Sequence, residues 1–281
     1  VGFWGCNDLS RTTYSGSDYV MFSDTLSMYP VQDSEKWFEI PVVATNICDY
    51  DRSFGVEVDD KASNAIEKKQ YVVESNTVTI KAGERVAKFR MKGIYENIDK
   101  TDSLSVTFNL LAKDENVWDL YGTRTRVQMQ KACPFELSTF EGYCLLTSSF
   151  FSAYMTNTEH RLLQAERDKT EDNTIILHDF FYKNYDLKIK YDPSDPLKPF
   201  VEFDDQIIGS TAEAFGTIYG NGKLMCTQPV AYDSYYNVCQ KFVFLYSTIY
   251  VVGKGTVGTY VNILEWISDE EAEQYKKEEG L

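Results

Sequence analysis

The sequence predicts an all-β chain of two units, a sandwich followed by an antiparallel barrel, ending in a short helix. Three observations predict it. Residues 51–91 run as short alternating strands separated by turns, with Phe54, Val56 and Val58 on one period-2 row and Val78 and Ile80 on another. A second, differently patterned series of strand-like segments follows a break near Lys131, Ala132, Cys133 and Pro134. The chain then ends in an acidic run in which Ser268 and Glu271 make a capping box and the acids crowd a helix's first turn. At 281 residues the chain suits two domains of ordinary size. The bounds read as a flexible tether over 1–18, a sandwich over 19–132, a barrel-like unit over 133–267 and the terminal helix over 268–281.

Taken in order, residues 1–18 are rich in Ser, Thr, Gly and Asp and lack periodicity. Residues 19–22 form a short apolar strand. A turn region around Pro30 and Asp33 leads to a strand over 37–43, where Pro41 predicts an edge or a bulge. After the strands of Phe54 and Val78, the turn Lys81-Ala82-Gly83-Glu84 feeds a strand of Val86, Ala87, Phe89 and Met91. Leu104, Val106, Phe108 and Leu110 alternate inward, and residues 123–130 complete the unit. About seven strands in about 110 residues is the size of an immunoglobulin-like sandwich.

In the second unit strands are expected at 143–150, 174–180, 185–191, 200–203, 215–219, 223–228, 238–246 and 256–267, with a helix over 157–169. Gly220-Asn221-Gly222 reads as a hairpin turn because Asn and Gly tolerate positive φ. About eight antiparallel strands form a small barrel or a second sandwich.

Composition narrows the function. Tyrosine (20) and phenylalanine (17) dominate the aromatics, as suits strands and half-wet surfaces. A net charge of −15 repels phosphate backbones, so nucleic acid is excluded as a partner. No apolar run approaches the roughly 18 residues of a membrane-spanning helix. Of the six cysteines, Cys48, Cys144 and Cys239 lie inside strand patterns, as small buried hydrophobes do; a Cys226–Cys239 disulfide across neighbouring strands is the alternative. Cys6 follows Gly5 and precedes a polar tether, the arrangement of a lipid-modified N-terminal cysteine.

Catalytic signatures are missing: there is no nucleophile elbow, zincin motif or phosphate loop. His178 beside Asp179 could form half of an acid–base pair for a hydrolase. Asp49, Asp51, Asp59, Asp60, Asp204 and Asp205 offer oxygen ligands without calcium-loop spacing. No cofactor or metal is expected. The richest binding feature is aromatic: Tyr232, Tyr235 and Tyr236 in a polar loop offer amphipathic faces to sugars or peptides, and Trp118 and Tyr121 precede the break between the units.

Asp51-Arg52-Ser53-Phe54, Ser63-Asn64-Ala65, Tyr71 and the run from Val78 to Glu84 resemble the N-terminal domain of Bacteroidetes surface lipoproteins, a domain similar to Calx-beta and immunoglobulin-like sandwiches. Phe140-Glu141-Gly142-Tyr143 and Val257-Gly258-Thr259-Tyr260 resemble the lipocalin-like barrel that follows it in those proteins. The resemblance implies a non-catalytic, lipid-anchored protein on the outer-membrane surface, with Cys6 at the acylated position. It further implies an accessory binding or scaffolding role beside a SusC/SusD-type transporter that imports glycans or peptides. The alternative is a carrier whose barrel holds a small apolar ligand.

Overall fold

A computed structural model describes residue 14 and residues 16–279. The chain divides between Lys131 and Ala132 into two compact units.

The first unit contains β1 (Val20–Phe22), β2 (Leu26–Val31), β3 (Phe38–Ala44), β4 (Arg52–Val58), β5 (Tyr71–Val73), β6 (Thr77–Ile80), β7 (Val86–Gly93), β8 (Leu104–Leu111) and β9 (Arg124–Lys131). They form two sheets, ordered β1-β3-β7-β5 and β2-β9-β8-β4-β6. Alternation puts Ile40, Val42, Phe89 and Met91 of the first sheet against Val56, Ile80, Val106, Phe108, Val127 and Met129 of the second, all buried. The inward row of β8 is the one its sequence predicts. Its other face is covered too: Ser105 donates its amide to Asn64 (2.6 Å) and Thr107 donates its own to Ser63 (2.9 Å). Arg52 is buried; its Nη1 donates to both carboxylate oxygens of Asp18 at 2.8 Å and its Nη2 to the Asn46 and Glu84 carbonyls, which ties the start of the unit to two loops.

Both prolines sit differently from their predicted places. Pro30, expected in a turn, lies within β2, an edge strand parallel to β9 in which Tyr29 and Val31 are buried. An edge strand tolerates a residue without an amide hydrogen. Pro41 lies in β3, which is flanked on both sides, but β1 stops pairing one residue earlier, at Phe22 opposite Val42. The Pro41 carbonyl still accepts the Ser23 amide at 3.0 Å.

The second unit begins with β10 (Gly142–Ser148), α1 (Ser149–Tyr154), β11 (His160–Arg167), β12 (Thr174–Leu177), β13 (Leu187–Tyr191) and β14 (Phe200–Glu202). It continues with β15 (Gln206–Ser210), α2 (Thr211–Phe215), β16 (Lys223–Thr227), β17 (Ser234–Asn237), β18 (Phe242–Val251), β19 (Gly255–Trp266) and α3 (Asp269–Glu279). Eight strands close an antiparallel ring, β10-β11-β12-β13-β14-β17-β18-β19, with β10 returning to β19. β18 pairs along its length with β19, while its other edge is shared by β17 and β16. The β15–β16 hairpin therefore fills the wall beside β14 and β17. The Gln206 side-chain amide links it to β13, accepting from the Lys188 amide (2.8 Å) and donating to the Lys188 carbonyl (2.9 Å).

The interior is packed. Phe150 stacks on Phe181 (centroids 4.7 Å apart), Phe181 on Phe180 (4.4 Å) and Phe140 on Tyr191 (4.6 Å), while Phe140 meets Trp266 edge-on. Leu146, Ile189, Leu245 and Leu264 fill between them. One polar network is buried within this wall. Asn262 accepts from the Ser148 hydroxyl (2.6 Å) and donates to the Leu245 carbonyl (3.0 Å) and the Ser247 hydroxyl (2.8 Å).

The unit corrects four expectations. Residues 157–169 contain strand β11 and not a helix, because pairing with β10 and β12 outweighs local helix propensity. Residues 215–219 are not a strand: the Ser210–Glu213 capping box starts α2, and Gly216, at φ 71°, ends it. Strands β15 and β17 are additional to those expected. Cys239 is bonded to Cys133, not to Cys226, which is buried as a free thiol. The terminal helix starts as its sequence predicts, with Ser268 and Glu271 capping each other.

Candidate functional site

Pairing of β17 with β14 and β18 places Phe200, Tyr235 and Phe244 side by side on the outer face of the barrel. Along β18, odd positions from Val243 to Val251 are buried and even positions face outward, so Phe242, Phe244, Tyr246, Thr248 and Tyr250 form one external row. Tyr232, in the loop before β17, lays its ring on Tyr246 (5.0 Å, 21°), and Tyr235 stacks on Phe244 (5.4 Å, 10°). Phe242 and Phe244 join these rings into a continuous stripe across the two strands. The outer wall of a barrel in water is ordinarily polar, which makes a contiguous aromatic surface a candidate for ligand or partner contact.

The stripe has a definite geometry. Parallel rings 5.4 Å apart spend facing surfaces on each other, so Tyr235 and Phe244 offer mainly edges and outer faces. Tyr232, 53% exposed, is the most open ring. Beyond the rings the row turns polar: Thr248 meets Thr259 at 2.8 Å, and the Tyr250 hydroxyl donates to Asp205 at 2.7 Å. Bonds from Thr227 and Tyr250 hold the Asp205 carboxyl below its ordinary range.

Of the three tyrosines that the sequence singles out, the structure brings two together. Tyr235 (38% exposed) and Tyr232 share the outer surface, but Tyr236 (5%) points inward, because successive residues of a strand face opposite ways. Tyr236 packs against Phe140 and Tyr191 and donates its hydroxyl to the Asp192 carbonyl at 3.2 Å. Burial pushes its phenol up to about 12. It is a core residue and not part of the surface. Phe242, Phe244 and Tyr246 belong to the surface and were readable only as members of a strand; their period-2 spacing is the signal that orients them outward. Cys6 lies outside the described residues. In the first unit Trp118 stacks on Tyr19 (5.5 Å) and takes Tyr121 edge-on (4.8 Å).

His178, Asp51 and Asp59 are engaged structurally. His178 lies between two carboxylates, Nδ1 at 3.0 Å from Asp186 and Nε2 at 3.4 Å from Glu166. Burial lowers the imidazole's pKa, but the two acids outweigh it and hold the ring above its ordinary value. With a carboxylate facing each nitrogen, the ring clasps β11 to the loop after β12. Asp51 bonds Lys81 and the Ala82 amide, and Asp59 caps a short turn and pairs with Arg124. Among the described residues no group of three or more His, Cys, Asp or Glu side chains could hold a metal ion. No described helix is long and apolar enough to cross a membrane.

No curated protein matches the sequence. Several solved structures are similar to it. A protein of unknown function from Bacteroides ovatus aligns over 88% of this chain and 89% of its own, at 9% identity and a TM-score of 0.37. An auxiliary nutrient binding protein from Bacteroides thetaiotaomicron aligns over 87% and 91%, at 10% identity and a TM-score of 0.31. The apo form of the Calx CBD1 domain aligns over 41% of this chain and 98% of its own, at 17% identity and a TM-score of 0.34. The family model described as Domain of unknown function (DUF4984) matches residues 120–278, more than half of the chain, and the protein belongs to that family.

Proposed function

We propose that the protein is a non-catalytic surface lipoprotein of the outer membrane, anchored through Cys6, that binds an extended glycan or peptide as an accessory of a SusC/SusD-type transporter. The observation that carries the binding role is the stripe of Tyr232, Tyr235, Phe242, Phe244 and Tyr246 on the barrel wall. Aromatic rings give large contact area at little conformational cost, and their hydroxyls supply hydrogen bonds at the rim. The Cys133–Cys239 disulfide supports an oxidising compartment outside the cytosol. The packed barrel interior weighs against the carrier alternative, since the space that would hold an apolar ligand is filled by Phe140, Phe150 and Phe181.

Affinity electrophoresis through gels containing soluble polysaccharides tests the binding role. Wild-type protein is expected to be retarded by at least one glycan, and Tyr232→Ala/Tyr235→Ala/Tyr246→Ala to run freely. Unchanged retardation of the triple variant would remove the stripe from consideration. Incorporation of labelled palmitate that disappears in Cys6→Ala tests the anchor. Co-purification with an outer-membrane transporter from native membranes tests the partner.

A further inference from the structure

The sandwich has an open strand edge of its own, unrelated to the aromatic stripe. β7 is eight residues long, but β5 covers only its second half: Tyr71 pairs with Gly93, Val72 with Lys92 and Val73 with Met91. One more contact, the Glu74 amide donating to the Arg90 carbonyl at 3.0 Å, ends the pairing before the chain turns away to β6. Backbone parity along β7 follows from these bonds. The Arg85 carbonyl accepts the Ala44 amide of β3, so residues 85, 87, 89 and 91 face β3 and residues 86, 88, 90 and 92 face β5. Val86 and Lys88 therefore turn both backbone groups toward an edge where no described strand pairs with them. Pro41 opposite Lys88 fits this assignment, since that rung needs no amide from β3.

This edge opens into a groove of about 550 Å³ lined by Thr79 of the edge strand β6 and by Glu84, Arg85, Val86, Ala87, Lys88 and Arg90. Three of the lining residues are cations and one is an acid. Lys88 and Arg90 share the single carboxylate of Glu39, and Arg90 also reaches Glu74 at 3.4 Å. Arg85 makes no ion pair among the described residues. On a chain of net charge −15 the lining itself carries two more positive than negative charges. Val86, 48% exposed, supplies an apolar foothold between the charges.

We propose that the open half of β7 is a strand-addition site for an extended acidic segment of a partner protein. The incoming strand lies in line with β5, antiparallel to β7, exchanges backbone hydrogen bonds with Val86 and Lys88, and sets carboxylates on alternate residues beside Lys88 and Arg90, whose side chains share one face of β7. A second copy of this chain is disfavoured, because antiparallel pairing of Val86 with Lys88 brings the Lys88 and Arg90 side chains of both copies onto the same face, like charge beside like charge. Lysines on an edge discourage indiscriminate strand pairing; here they restrict the edge to strands of opposite charge.

The test uses the whole chain and short labelled peptides of alternating glutamate and valine or lysine and valine, read by fluorescence anisotropy. The acidic peptide is expected to bind saturably and the basic one not at all. Lys88→Pro removes the one outward amide at that rung and leaves the β3 ladder intact; it should weaken the acidic peptide about tenfold, in line with the loss of one or two backbone hydrogen bonds. Lys88→Glu, which keeps the amide, should lose the acidic peptide and gain the basic one. In wild-type protein, saturating acidic peptide should slow amide exchange at Val86 and Lys88 while leaving Ala87 and Phe89 unchanged, a readout that does not depend on the variants folding. The proposal is overturned by absence of saturable binding, by equal affinity for Lys88→Pro with its fold intact, by unchanged exchange at Val86 and Lys88, or by concentration-dependent self-association that Lys88→Pro abolishes.

Discussion

Removing the Cys133–Cys239 disulfide by a double substitution to serine is expected to destabilise the barrel unit by several kcal/mol. The bond closes a loop between residues 106 positions apart, which encloses every barrel strand except β18 and β19. In the chain-entropy description, opening a loop of that size returns about 16 cal/mol/K to the unfolded ensemble, or about 4.7 kcal/mol at 25 °C. Set against a total of about 5–15 kcal/mol for an ordinary domain, that is a large share. The assay is urea unfolding followed by tryptophan fluorescence in a chain that keeps Trp266 as its sole tryptophan, since that ring sits in the barrel core. At a slope of about 2 kcal/mol/M the midpoint should fall by about 2 M, and the slope itself should rise as the uncrosslinked chain expands. A loss below about 1 kcal/mol would refute the reasoning, because it would mean that the unfolded chain is already compact without the crosslink.

Three further expectations follow from single sites. Asn262→Leu strips three bonds and leaves the Leu245 carbonyl and the Ser148 and Ser247 hydroxyls short of a buried partner; a loss of about 3 kcal/mol, or about 10 °C in Tm, is expected by calorimetry. A neutral result would show that the network adds nothing to stability. His178 has its folded pKa raised by Asp186 and Glu166, so its stabilisation is complete below the unfolded value of about 6.5 and is lost as pH rises through the folded value. Wild-type urea midpoints should therefore decline across that window relative to His178→Gln, and parallel curves would contradict the clasp. Tyr236→Ala should destabilise by about 3 kcal/mol as a core truncation, whereas Tyr235→Ala, which loses one surface stacking partner, should lose about 1 kcal/mol or less; equal losses would erase the inward–outward distinction.

How much of this was legible depended on whether neighbours or local pattern decided each segment. Leu104 to Leu110 alternate cleanly and fold as they read, because burial of one face sets a period of two. The segment His160–Arg167 is built from residues that favour helices, among them Leu162, Leu163, Gln164, Ala165 and Glu166; only pairing with strands on either side makes it β11. β17 is four residues long and follows a polar loop, so its alternation was too short to stand out. Missing that strand also hid the opposite facings of Tyr235 and Tyr236, and with them the composition of the stripe. The partner of Cys239 was not readable at all, since a disulfide across 106 positions leaves no trace in local spacing.

In both units an early strand waits for a late one. β2 lies parallel to β9, the last strand of the sandwich, and β10 closes the barrel against β19. A chain emerging from the ribosome, or threading through a translocation pore, cannot complete the sandwich until Lys131 is out, nor the barrel until Trp266 is. Until then β2 lacks its β9 neighbour and β10, already paired with β11, keeps its other edge open, and contacts of such long sequence separation form slowly. A nonsense change just ahead of β19 would remove it together with α3, leaving β10 and β18 without a shared partner and the ring open. The order of manufacture makes the last strand of each unit the one that commits it to its fold.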